Sequence, residues 1–174
     1  MNRLCMAVLS IALAGTPASA EIVQSSPAGA TMRHHYDIRA TPVEAWQALI
    51  HPESWWPQDH NWSGNSSNMR LVPEAGGCFC EEWDGGSVEH GRVISAMEPR
   101  LLRFDGALGP LQEMAVTAVL TVALEPTESG TKAVVTYRVS GDASHAIDQF
   151  APVVDRVVGQ QFGAFAAYAS RDRK

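Results

Sequence analysis

Basic charge, cysteine and long apolar runs are all scarce in this sequence. Its 174 residues carry 13 Lys and Arg against 19 Asp and Glu, a formal net charge of −6. That balance argues against nucleic acid or an anionic lipid surface as a partner. Beyond the N-terminal segment, no stretch approaches the length of apolar chain that spans a bilayer. The signatures of nucleophilic and nucleotide chemistry are missing too: there is no Gly-x-Ser-x-Gly elbow, phosphate loop or dinucleotide fingerprint. Histidines at positions 34, 51, 60 and 90 show no His-x-x-x-His spacing, and His34 and His35 alternate to opposite faces. A zinc site built from histidines and cysteines therefore has no supporting pattern, and no metal or other cofactor is expected. Repeats, heptads and a second domain are also absent.

What the N-terminus does have is an export pattern. Met1-Asn2-Arg3 is a short basic start, Leu4 to Ala14 an apolar core, and Ala18-Ser19-Ala20 a small-x-small cleavage site. Residues 1–20 are expected to be a signal peptide, making the product periplasmic or secreted; losing Arg3 makes it one charge more acidic. No cysteine stands at the cleavage point, which argues against a lipid anchor. Residues 21–30, rich in Ser, Pro, Gly and Ala, read as a flexible leader. Residues 31–172 then suit one domain with a sizeable core.

Of three cysteines, Cys5 leaves with the signal, and Cys78-Phe79-Cys80 remains. An oxidising compartment invites a disulfide, but residues two apart on an extended strand sit near the upper limit of its Cα separation. Free, half-buried thiols are the favoured reading, with a strained disulfide second and metal or redox use third.

Patterning gives the order of elements. Met32, His34, Tyr36 and Ile38 alternate with Arg33, His35, Asp37 and Arg39, a half-buried strand. Thr41 caps a helix with Pro42 at its first position, and Val43, Ala45, Trp46, Leu49 and Ile50 form its apolar stripe. His51-Pro52 ends it. Residues 57–68 are polar and rich in Gly, Asn and Ser, an exposed loop or lid; its two glycosylation sequons read as idle behind a bacterial-style signal. Antiparallel strands follow in quick succession from Met69 to Ser140, with Asp84-Gly85-Gly86 a strong hairpin signal. The rest is a long amphipathic helix in which Pro152 marks a lead-in turn or a kink. The fold class is thus α+β: a curved antiparallel sheet wrapped around a C-terminal helix, leaving room for a cavity.

The chain also resembles a known superfamily. The residues that carry this are Ala40-Thr41-Pro42 with Trp46 and Leu49, His51-Pro52-Glu53 with Trp55-Trp56, and Gly76-Gly77-Cys78-Phe79. They continue with Trp83-Asp84-Gly85, Gly91-Arg92-Val93, Glu98-Pro99 before Leu101, and Val154-Asp155-Arg156-Val157 with Gln161. In this order they are similar to the helix-grip superfamily (SRPBCC, or START-like) over residues 31–170. The resemblance is greatest to the branch named for the activator of heat-shock-protein ATPase. It implies a hydrophobic cavity between sheet and C-terminal helix, used across the superfamily by lipid carriers, polyketide cyclases, stress proteins and chaperone partners. Two departures stand out. Export would separate the chain from a cytosolic chaperone, and Cys78-Phe79-Cys80 replaces a common Gly-Arg-Phe-type pattern.

The candidate site follows from these patterns. Trp55 and Trp56 form either an aromatic rim or a plug at the helix end. Phe79, Glu81 and Trp83 share one strand face, so Glu81 either faces the cavity as a ligand-orienting or acid–base group or pairs with Arg92. Gln161 lies on the apolar stripe of the last helix and either touches a ligand or bonds the sheet. Phe79, Trp83, Phe104, Phe150, Val154 and Phe165 complete the expected lining. The leading reading is a binding module, monomer or weak dimer, for a hydrophobic small molecule or lipid. A cyclase- or hydrolase-type enzyme using Glu81 or His90 is the alternative, disfavoured by the lack of a nucleophile–base pair. A periplasmic stress or interaction protein with a filled cavity is a third.

Overall fold

A computed structural model describes residues 19–171 of the chain; the proposed signal segment lies outside them except for Ser19 and Ala20. Eight strands form one antiparallel sheet: β1 (Ser19–Ser26), β2 (Gly29–Ile38), β3 (Met69–Leu71), β4 (Cys78–Trp83), β5 (Gly86–Met97), β6 (Leu101–Asp105), β7 (Thr117–Thr127) and β8 (Gly130–Ser140). Their order across the sheet is β1-β2-β8-β7-β6-β5-β4-β3, with the crossover between β2 and β3 made by helix α1 (Pro42–Leu49) and a looped segment. Helix α2 (Ile147–Ala169) closes the chain and packs on β1, β2 and β8.

Alternation drives the assembly. Every second residue of β2 from Ala30 to Ile38 is buried, as are Ala118, Leu120, Val122 and Leu124 of β7. In register beside them, Leu120 faces Tyr137 and Val122 faces Val135, so one side of the sheet becomes a continuous apolar surface. α2 covers it with Ile147, Ala151, Val158, Phe162, Phe165 and Ala169, spacings that return to one helix face.

α1 starts where the composition dictates. Thr41 Oγ1 accepts from the Glu44 amide at 3.3 Å while Glu44 Oε2 accepts from the Thr41 amide at 2.8 Å, a complete capping box with Pro42 at the first helical position. Such a cap contributes about 1 kcal/mol. Ala45, Trp46, Ala48 and Leu49 are buried, but Val43, expected on the stripe, is 56 % exposed; in an eight-residue helix the buried face is narrower than the apolar pattern.

Three further expectations are corrected. The stretch read as a flexible leader is strand β1, which pairs with β2 from Ser19–His35 to Ser26–Gly29; edge pairing organises residues that composition alone assigns to a loop. α2 runs unbroken through Pro152. The proline is exposed, and the helical carbonyl it leaves without a partner lies near the helix start. Cys78 and Cys80, favoured as free thiols, are joined in a disulfide. Their pairing with β5 shifts register between Phe79 and Cys80, and the Cα atoms stand 5.4 Å apart, within disulfide range. Glu89 lies beside the pair, with Oε2 3.9 Å from Cys78 Sγ.

Candidate functional site

The sheet curves away from the N-terminal half of α2, and the gap between them is a cavity of about 400 Å³. α2 supplies one wall with Phe150, Val153, Val154, Val157, Val158 and Gln161. The opposite wall is the polar segment after α1, from Trp56 through Asp59, His60, Asn61 and Trp62. A helical turn at Gly109–Met114 closes a third side through Pro110, Leu111 and Met114. From the sheet, only His90 and Tyr137 reach it.

Glu81 fixes the lid-like segment to the sheet. Fully buried, it accepts hydrogen bonds from the Trp62 amide at 3.0 Å, the Ser63 amide at 2.5 Å and His90 Nε2 at 3.1 Å. Burial alone would raise its pKa, but the bonds from Ser63, Trp62 and His90 outweigh that and hold the carboxyl below its ordinary range. Trp56 adds a second tether, donating from Nε1 to the His60 carbonyl at 2.9 Å. The 57–68 stretch, polar in sequence, is thereby held at three points of its backbone rather than left loose.

His90 sits at a bulge. β4 and β5 pair Phe79 with Gly91 and then Cys80 with Glu89, so His90 is the extra residue between two matched pairs. Counted from the hairpin, Glu81 opposes Val88, so His90, two residues on, shares the Glu81 face, while the inserted residue turns Arg92 to the other face, opposite Cys78. Gly91 suits the close approach of β6 at this point: a Cβ there would stand 3.2 Å from the Asp105 carbonyl oxygen. Beside the imidazole, Phe79 at 5.3 Å and Trp56 at 6.3 Å between centroids pack at a tilt. Burial lowers the His90 pKa, with Glu81 opposing the shift.

Tyr137 is fully engaged: its hydroxyl accepts from the Leu108 amide at 2.9 Å and donates to the Gly106 carbonyl at 3.2 Å. Burial pushes its pKa upward. Other polar groups around the cavity are not satisfied. Gln161 Oε1, His60 Nδ1 and both amide atoms of Asn61 are buried without a hydrogen-bond partner. An orphaned buried polar atom costs about 1–3 kcal/mol, so four of them around one cavity, on two facing walls, mark where a partner belongs.

Of the ten residues selected from sequence, Trp56, Phe150, Val154 and Gln161 line the cavity. The others sit elsewhere. Trp55 donates to the Ala48 carbonyl at 2.9 Å and packs on Phe162 and Phe165 at 5.8 and 5.4 Å, plugging the end of α1. Phe79 and Phe104 stack on each other at 5.5 Å in the core, where Phe165 is buried too. Trp83 lies over Gly86 at the end of the β4–β5 hairpin, because strand twist turns the last residue out of the inner face. Glu81 stands behind His90 rather than in the cavity, and its partner is not Arg92, which instead bonds Glu89 at 2.7 Å. Sequence selection left out His90 and Tyr137 of the sheet, the Asp59–Trp62 segment, the turn residues Leu108, Gly109, Pro110, Leu111 and Met114, and Val153, Val157 and Val158 of α2. The glycine after His90, inside an otherwise regular strand, is the one local sign of the bulge.

A second buried imidazole lies at the α2–β2 seam, where His34 Nε2 is 2.9 Å from Asp155 Oδ1 and the α2 backbone leaves room at Gly159. Burial lowers the His34 pKa below its ordinary 6.5, with Asp155 opposing. His34, His90 and Glu81 therefore share a sign. Both histidines bind protons more readily unfolded than folded, so their stabilisation is complete above pH 6.5 and falls as pH drops through that value. Glu81 adds a further loss below its ordinary 4.5. The melting temperature is expected to be highest above pH 7, to decline between 6.5 and 5, and to fall again below 4.5. A melting temperature unchanged from pH 7.5 to 5 in a buffer series would contradict this assignment.

No protein-family model and no curated protein matches the chain. Solved structures do. A protein from Rhizobium leguminosarum superposes with a TM-score of 0.59 at 20% identity, covering 90% of this chain and 100% of that one. One from Mesorhizobium loti gives 0.58 at 20% identity over 83% and 99%. The di-domain ARO/CYC StfQ from the steffimycin biosynthetic pathway gives 0.55 at 11% identity, covering 82% of this chain and 51% of that one. At these identities the likeness concerns architecture alone: a curved eight-stranded antiparallel sheet gripping a long C-terminal helix, the helix-grip fold.

Proposed function

We propose that this chain is an exported binding protein for an apolar or amphipathic small molecule, held between the sheet and the N-terminal half of α2. The observation that carries the reading is a cavity of about 400 Å³, of the size that small-molecule sites occupy, on whose walls four buried polar atoms lack partners. Apart from Asp59 and His90, the rest of the walls is mostly valines, leucines, methionine, proline and aromatic rings. No helix among the described residues is long and apolar enough to cross a membrane. Export rests on the pattern of residues 1–20, and the branch resemblance on the short motifs of the sequence. Native mass spectrometry of protein purified from the periplasm of its expression host tests both parts. The expected spectrum shows a chain beginning at Glu21 and carrying an extra small-molecule mass that is released by organic solvent. A chain with no bound mass that also fails to bind any apolar probe would overturn the binding reading, and one retaining residues 1–20 would overturn export.

One observation favours a second reading, a cyclase-type enzyme. The Glu81–His90 pair is a buried carboxylate orienting an imidazole against a cavity, the geometry of a general base and its positioning group. The StfQ similarity lies in the same direction. In this reading His90 touches substrate and Glu81 acts only through it, so turnover would follow a single ionisation and vanish in His90→Phe.

A further inference from the structure

We propose that the cavity is selective for an uncharged apolar molecule whose polar end is a hydroxyl, such as a phenol or alcohol, and that it rejects carboxylates. This rests on the binding reading above and names the class of ligand for the same site. The inference starts from a proton count. Glu81 is ionised and already accepts two backbone amide protons, so it has no hydrogen to give to His90. The contact at 3.1 Å therefore requires the proton on His90 Nε2. A buried, uncharged imidazole protonated at Nε2 presents a lone pair at Nδ1. Among the described residues no second hydrogen bond reaches that ring, and the ring lines the cavity. The one polar side chain that the sheet leaves available to the cavity is an acceptor. Tyr137 does not compensate, since its hydroxyl already donates to Gly106 and accepts from Leu108.

The surrounding groups point the same way. Gln161 is 4 % exposed, and its amide oxygen is a second acceptor without a donor. Asp59 places a carboxylate on the lid side, and no lysine or arginine is among the described residues that line the cavity. A carboxylate ligand would be desolvated against a lone pair and an acid with no cation to receive it, a large penalty. A hydroxyl meets both kinds of need. It can donate to His90 Nδ1 or Gln161 Oε1, and it can accept from the unpartnered Asn61 Nδ2. Trp56, Trp62 and Phe150 offer ring faces to the apolar body.

Three probes of one size separate these ideas: 2-naphthol, 2-methoxynaphthalene and 2-naphthoate, titrated into the full chain at pH 7.5 with tryptophan fluorescence and calorimetry as readouts. 2-Naphthol is expected to bind at least tenfold more tightly than either of the others. The ratio of naphthol to ether affinity is expected to fall toward one in His90→Phe, and to fall also in Gln161→Leu, which leaves the Glu81 hydrogen bonds in place. Equal affinity for naphthol and ether, or tighter binding of naphthoate, would overturn the hydroxyl preference while leaving a binding cavity. Binding of none of the three would overturn the cavity reading itself, and the preference with it.

Discussion

Glu81→Ala is expected to cost about 3–5 kcal/mol of folding stability, because each buried donor left without an acceptor costs about 1–3 kcal/mol. The substitution strips the acceptor from three donors at once: the Trp62 and Ser63 amides and His90 Nε2. None of the three has a replacement nearby, and the two amides belong to a segment with no strand ladder of its own. Loss of Glu81 should therefore release the 61–65 backbone as well as lower global stability. Urea denaturation reads the first effect, and amide hydrogen exchange at Trp62 and Ser63 reads the second. Glu81→Gln keeps the shape and one acceptor but turns an N–H₂ toward donors, so an intermediate loss is expected. A Glu81→Ala loss under about 1 kcal/mol, in the range of exposed pairs, would mean that the carboxylate is better solvated than its burial indicates.

How much of this was visible in the chain depends on the length scale of the cause. The β2 and β7 alternations, the Thr41 cap with its Glu44 partner and the Asp84-Gly85 hairpin are set by neighbours within a few residues, and all are legible. Strand β1 was not, because its order comes from pairing with β2 rather than from its own composition. The Glu81–His90 contact failed for a different reason. Side-chain facing along a strand has period two, so one inserted residue reverses every assignment beyond it. The bulge at His90 did that: the hairpin read without it puts Arg92 on the Glu81 face, whereas with it Arg92 opposes Cys78 on the other face. The lining failed for a third reason. The apolar stripe of α2 is continuous, and spacing alone cannot say where the sheet stays against it and where it curves away. Phe165 and Phe150 belong to the same stripe in sequence and to different environments in space.

That division of α2 gives the second large effect. Phe165 is 0 % exposed and packs against Trp55 and Phe162, with centroids at 5.4 and 6.5 Å. Phe165→Ala is expected to destabilise the fold by about 3–5 kcal/mol, as deletion of a buried phenylalanine ring does, because the surrounding rings cannot fully collapse into the void. Phe150, four helical turns earlier, is 46 % exposed at the cavity. Phe150→Ala removes little buried area and should change stability by less than about 1 kcal/mol, in line with other partly exposed sites. For 2-naphthol the order reverses: affinity should fall severalfold in Phe150→Ala, through lost ring contact at the cavity wall. Thermal and urea unfolding of the two variants beside naphthol titrations check both halves. Equal destabilisation by the two substitutions would mean that α2 packs along its whole length and that no open cavity exists in solution. Unchanged naphthol affinity in Phe150→Ala would instead move the ligand deeper, toward His90 and Gln161.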